Sequence, residues 1–258
     1  MCIRDRCGSD LAITVTFGLF VVLATQELFY LMRRKGYTPF SVLGTVVVGC
    51  LVVAYWVDRH YVREGLWVYV VAFLFILGLF ICQGFLCPRQ AGVTSIALTL
   101  FGVFYIWLLA SFTQRMYYLE DIGLKGVLVF LTTVKCGDIG AYCTGRLFGK
   151  HHPFKRISPG KTTEGYVGGL VWSVVVSVLF GRLLLEEPGW PHWVGFGMLV
   201  WFFGALGDLF ESIIKRDLDA KDSGKCLPGL GGVLDLLDSV LLAGPAAYFM
   251  LRCLSAGT

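Results

Sequence analysis

The sequence predicts an all-α, polytopic helical membrane protein with about eight transmembrane helices. Of its 258 residues, 56% are hydrophobic and only 16% are charged, with a mean hydropathy of +0.72. Apolar runs of spanning length, roughly 17–25 residues, recur along the whole chain. The connections between them alternate in basic charge, as positive-inside topology requires. Together these features exclude a soluble globular domain.

The first run, near 11–32, closes on the basic connection 33–39, which holds Arg33, Arg34 and Lys35. A run near 40–57 follows and ends at 58–66. The third, near 67–87, is separated by 88–92 from a fourth near 93–113. After the polar stretch 114–124 come runs near 125–147, 166–185, 193–214 and 231–254. The connections 33–39, 88–92, 148–165 and 215–230 carry twelve Lys or Arg residues, against three in 58–66, 114–124 and 186–192. The first set is therefore expected in the cytoplasm, with the protein in a cell (inner) membrane.

Three regions are expected. Residues 1–10 (MCIRDRCGSD) fit neither a signal peptide nor an anchor and read as an atypical stretch, a truncated or artefactual start. Residues 11–124 are spans with little polar chemistry; Glu27 is the exception, read as packing inside the bundle or reaching toward the basic loop. Residues 125–258 carry the catalytic polar groups. The nine cysteines include no CxxC pair and read as packing residues. The four histidines are too scattered for a zinc site.

Two stretches concentrate chemistry. In 137–165, Asp138 lies within a run, and Lys135, Asp138 and Tyr142 share one helix face. Gly137, Gly140, Ala141 and Gly145 would let a neighbouring helix approach closely. Ser158-Pro159-Gly160-Lys161-Thr162 offers amides, hydroxyls and a lysine before a helix N-terminus, a setting that suits phosphate. A positive-inside loop touching anionic headgroups explains the same residues equally well.

Residues 208–239, DLFESIIKRDLDAKDSGKCLPGLGGVLDLLDS, hold seven carboxylates: Asp208, Glu211, Asp217, Asp219, Asp222, Asp235 and Asp238. Lys215, Arg216, Lys221 and Lys225 stand among them. An ionisable group at membrane depth costs on the order of 3 kcal/mol, so such a cluster marks function. Asp208, Glu211, Ser212 and Lys215 line one helix face, and Asp235 and Asp238 are i, i+3 on the next helix. Hard oxygen ligands of this kind suit Mg²⁺ with substrate phosphates, and a second ion is allowed for. Buried salt bridges locking two helices account for only part of the cluster.

At these residues the chain resembles the CDP-diacylglycerol synthases, or phosphatidate cytidylyltransferases. Their signature is met by Ser212, Lys215, Arg216, Lys221, Asp222, Gly224, Leu227, Pro228, Gly231, Gly232, Asp235 and Asp238. The segments GAY, GRLFGK, SPGKT and EGYVGG between 140 and 169 resemble a second family block. Leu230 and Leu236 depart from the usual His and Arg. The family also tends to have one more N-terminal span.

The resemblance implies a nucleotidyltransferase of phospholipid biosynthesis, converting CTP and phosphatidate to CDP-diacylglycerol and pyrophosphate. It implies Asp208 and Asp235 as metal carboxylates, with Asp238, Asp222 and Lys221 as further catalytic residues. Lys215, Arg216 and Lys221 would meet CTP phosphates. Ser158, Lys161 and Thr162 would grip a phosphate, with Asp138 orienting Lys161. Ser212, Gly231 and Gly232 complete the substrate-binding positions. The expected partners are CTP, phosphatidate and the bilayer, with a homodimer allowed and no nucleic acid. The alternatives are a CDP-archaeol-type synthase, a polyprenol kinase, or an ion-coupled transporter.

Overall fold

In a computed structural model, residues 3–62, 65–86, 92–120, 122–154, 157–185, 189–224 and 231–256 are described. Arg63, Glu64, Arg89, Asp121, Lys155, Arg156, Glu186, Glu187, Lys225, Leu227, Pro228, Gly229 and Leu230 lie outside them. Eight helices among the described residues are long and apolar enough to cross a membrane: Asp10–Arg34, Ser41–Tyr61, Leu66–Phe85, Gly92–Tyr117, Gly123–Phe148, Thr163–Leu184, Trp190–Asp217 and Val233–Leu254. These match the eight apolar runs in order. In lipid the helix is the natural solution, because every backbone polar group finds a partner within the segment.

The helices are α1 (Ile3–Arg34), α2 (Ser41–Val57), α3 (Leu66–Ile81), α4 (Gly92–Val103), α5 (Leu109–Tyr117), α6 (Gly123–Phe148), α7 (Thr163–Leu184), α8 (Trp190–Asp217) and α9 (Val233–Ala256). Helix α1 includes residues 3–10, which continue the first span without a break. Single π-helical turns extend α2 and α3, and another joins α4 to α5.

The chain divides into two compact units. The first comprises Met1–Ser111 and Leu218–Asp235; the second comprises Phe112–Asp217 and Leu236–Thr258. The segment 218–235, which links two C-terminal helices, belongs by its contacts with the N-terminal helices.

In the first unit, α2 packs against α1, α3 and α4. The buried Phe29 ring of α1 fixes that arrangement. A Cβ on Gly44 of α2 would approach the ring to 2.7 Å, and one on Gly102 of α4 to 2.5 Å. With no hydrophobic effect between helices in lipid, such close contacts supply the association energy. The buried Asp58 accepts N–H bonds from Trp67 and Val68, at 2.9 and 3.0 Å, and so caps α3.

In the second unit, α7 packs against α6 and α8. Its core gathers Phe130, Trp193, Phe196, Ala247 and Leu251, all fully buried. A Cβ on Gly140 of α6 would meet Trp172 of α7 at 2.4 Å, so the small-residue face read from the sequence is a helix contact.

Candidate active site

In the second unit, α8 and α9 bring three carboxylates together. Asp208 and Glu211 lie one turn apart on α8, and Asp238 lies on α9. One oxygen of each lies within 4.8 Å of the others. Glu211 is wholly buried and Asp238 nearly so. The backbones approach this closely because residue 207 is glycine. A Cβ there would stand 2.4 Å from the carbonyl oxygen of Asp238. Gly207→Val should therefore part α8 from α9. We expect about 1–3 kcal/mol of destabilisation and a large loss of activity, read by thermal unfolding in detergent and by turnover.

Lysines from three helices or loops surround the acids. Lys161 pairs with Asp208 at 2.7 Å, and Lys215 pairs with Glu211 at 2.7 Å. Lys135 reaches Asp138 at 3.2 Å. The Ser239 hydroxyl lies 3.0 Å from Asp238 and 3.4 Å from Asp138, linking α6 to α9. The group is thus oxygen-rich and partly neutralised. A hard divalent ion fits such a donor set, since Mg²⁺ takes one or two carboxylates and completes its shell with phosphate oxygens and water. Beside it, a cavity of about 50 Å³ is lined by Asp138, Asp208, Tyr166, Ser173 and Trp201, among others.

The loop before α7 is tightly tied. Thr162 caps α7, its hydroxyl oxygen accepting from the Gly165 N–H at 3.1 Å. Glu164 accepts N–H bonds from Lys150 and His151 and meets the His151 ring at 2.6 Å. Ser158 stands in the turn that precedes Lys161, whose N–H bonds to the Ser158 carbonyl. Arg216 donates to the Ile157 carbonyl at 3.2 Å, fastening this loop to the end of α8. Ser212 is buried on α8 beside Glu211.

In the first unit, Asp235 organises the chain around Ser223. Its carboxylate accepts from the N–H groups of Ser223 (3.1 Å) and Gly232 (2.9 Å). Glu27 of α1 completes the network, accepting from the Ser223 hydroxyl at 3.2 Å and the Leu234 N–H at 2.9 Å. The Gly231-Gly232 pair has a steric reason. Gly231 has φ +89°, and a Cβ on Gly232 would meet Ser223 Oγ at 1.9 Å. Lys221 and Asp222 are exposed on the adjoining bend.

The sequence pairs Asp208 with Asp235 as metal ligands. The carboxylates that the second unit groups are Asp208, Glu211 and Asp238. Of these, Asp238 stands among the further catalytic candidates of the sequence analysis and Glu211 among none, although its i+3 spacing from Asp208 puts it on the same face. Lys161 has Asp208 as its partner, whereas Asp138 is held by Lys135 and Ser239.

Comparison with known proteins gives this group its context. The sequence matches the cytidylyltransferase family over residues 6–254. The chain belongs to that family. A phosphatidate cytidylyltransferase of Synechocystis sp. is 31% identical over 267 residues, 92% of this chain and 87% of the relative. Phosphatidate cytidylyltransferase 4, chloroplastic, of Arabidopsis thaliana is 30% identical over 270 residues, 93% of this chain and 67% of the relative. The Mycobacterium tuberculosis phosphatidate cytidylyltransferase is 37% identical over 164 residues, 63% of this chain. That alignment spans about half the length of the mycobacterial protein, 49%. This cytidylyltransferase family member is a membrane protein of eight apolar helices among the described residues, with the Asp208, Glu211 and Asp238 group on the last two.

Proposed function

We propose that the protein transfers a cytidylyl group from CTP to phosphatidate, releasing pyrophosphate and forming CDP-diacylglycerol. The reading rests chiefly on the family match over residues 6–254, which takes in the Asp208, Glu211 and Asp238 group. A phosphate oxygen of phosphatidate attacks the α-phosphorus of CTP. The bond from that phosphorus to the bridging oxygen breaks, and the electron pair leaves with pyrophosphate. The nucleophile is already anionic, so the protein's task is positioning and charge neutralisation rather than proton removal.

Asp208, Glu211 and Asp238 are the side chains that would hold Mg²⁺. When bound, the ion neutralises phosphate charge and aligns the leaving group. Lys161 and Lys215, now paired with two of these acids, supply the positive charge that faces the phosphates. Thr162 and Ser158 hold Lys161 in place through the capped turn, and Arg216 anchors that turn to α8. Lys221, Asp222 and Asp235 serve turnover from the signature segment. The motif-bearing loops face the cytosol, where CTP is found, and the protein resides in the cell membrane.

The test uses detergent-solubilised protein with phosphatidate, radiolabelled CTP and Mg²⁺. Label should enter the lipid fraction as CDP-diacylglycerol with stoichiometric pyrophosphate, and EDTA should abolish it. CDP release would indicate a kinase instead. Undiminished transfer in EDTA would remove the metal from the reading.

A further inference from the structure

The first unit contains a groove that the reaction chemistry has not used. It has a volume of about 530 Å³ and runs between α1 and α2. Its walls change character along their length. Leu23, Phe29, Val42 and Val46 are apolar, with Gln26, Glu27 and Thr45 interspersed among them, whereas Arg33 and Ser41 lie at the ends of α1 and α2 that meet the basic connection. From Leu23 to Arg33 the helix rises about 15 Å, so the groove follows α1 from its cationic end well into the span. Val42 and Val46 are exposed (77% and 56%), leaving one side open to acyl chains. Among the described residues Arg33 has no carboxylate within ion-pair distance.

The groove is also joined to the family signature. Ser223 and Gly224 form part of its wall. Ser223 is the residue bonded to both Asp235 and Glu27. A Cβ on Gly224 would strike Glu27 at 2.4 Å, so the signature glycine is what lets that segment lie against α1.

We propose that this groove is the docking site of the lipid acceptor, a diacylglycerol phosphate. One acyl chain lies along Leu23, Val42 and Val46, and the phosphate is received at Arg33 and Ser41. Shape and charge both favour such an amphiphile. An arginine fork matches a phosphate monoester in two N–H bonds, and the apolar wall begins one turn deeper. The proposal rests on the cytidylyltransferase reading for the identity of the lipid, but not for the existence of the site.

The experiment uses the full chain in nanodiscs with a phosphatidate bearing a diazirine in one acyl chain, without CTP. After photolysis, label should map to peptides within residues 23–46 and be displaced by unlabelled phosphatidate. Val46→Trp, which fills the apolar end, and Arg33→Gln, which removes the cation, should each cut labelling. Each should also raise KM for phosphatidate about tenfold, the factor expected for one charge-assisted or fully buried contact. KM for CTP should stay within twofold. Leu74→Trp, on the exposed face of α3, should leave both constants unchanged.

Labelling elsewhere, or unchanged labelling and KM in both groove variants, overturns the proposal. Equal displacement by phosphatidylglycerol also overturns it, because the groove would then be a general anionic-lipid contact. Labelling of the groove in a protein that transfers nothing from CTP would keep the lipid site and remove the enzymatic reading. Transfer without groove labelling would do the reverse.

Discussion

Asp208→Asn is expected to lower turnover about a thousandfold, at the upper end of what one preorganised electrostatic group supplies, in a protein that still inserts and purifies folded. The substitution keeps shape and removes one negative charge. Asp208 makes two contacts at once. It contributes an oxygen to the group with Glu211 and Asp238, and it is the partner of Lys161 at 2.7 Å. An asparagine is a poor Mg²⁺ ligand beside two carboxylates, and it leaves Lys161 without its charge partner. Raising Mg²⁺ should restore only part of the loss, because Lys161 lacks its charge partner at any Mg²⁺ concentration. The measurement is kcat over a Mg²⁺ titration together with the unfolding temperature. A variant within tenfold of the parent, but markedly less stable, would mean that these acids are a salt-bridged fastening of α8 to α9 and not a cation site.

The two kinds of information in this chain differ in range. Helix positions are legible because burial in lipid demands continuous apolar runs, and each run ends where charge resumes. The spans at 125–147 and 231–254 became Gly123–Phe148 and Val233–Leu254 for that reason. Contacts one turn apart are legible too. Asp208 and Glu211 had to share a face, and the Gly140 face had to meet a helix. What periodicity cannot give is the choice among carboxylates on different helices. Asp235 and Asp238 are one turn apart and identical in side chain, yet in the second unit it is Asp238 that groups with the α8 acids, because Gly207 draws its backbone against α8. The partners of Glu27 were equally hidden. Ser223 and Leu234 lie 196 and 207 residues further along the chain, and no local pattern carries that distance.

Glu27→Leu should reveal how much the signature segment depends on that long-range contact. Glu27 is buried on α1 and accepts from the Ser223 hydroxyl and the Leu234 N–H. Leucine fills similar space but accepts nothing, so two buried donors lose their partner. At about 1–3 kcal/mol each, the expected destabilisation is about 2–6 kcal/mol. Activity should fall further than stability alone explains, because Ser223 also holds Asp235 at 3.1 Å and the two bonds share one backbone turn. Hydrogen exchange should rise at residues 218–224 and 231–235 while α6 and α7 stay protected. The double variant Glu27→Leu with Ser223→Ala separates the causes, since it removes acceptor and hydroxyl together and leaves the Leu234 N–H and the Asp235 N–H, which donates to the Ser223 hydroxyl at 3.3 Å, without those acceptors. A coupling energy near zero in that cycle would mean that the Ser223 bond contributes nothing. A double variant that regains stability but not turnover would make Glu27 a positioning residue for the signature segment, acting through Ser223 on Asp235.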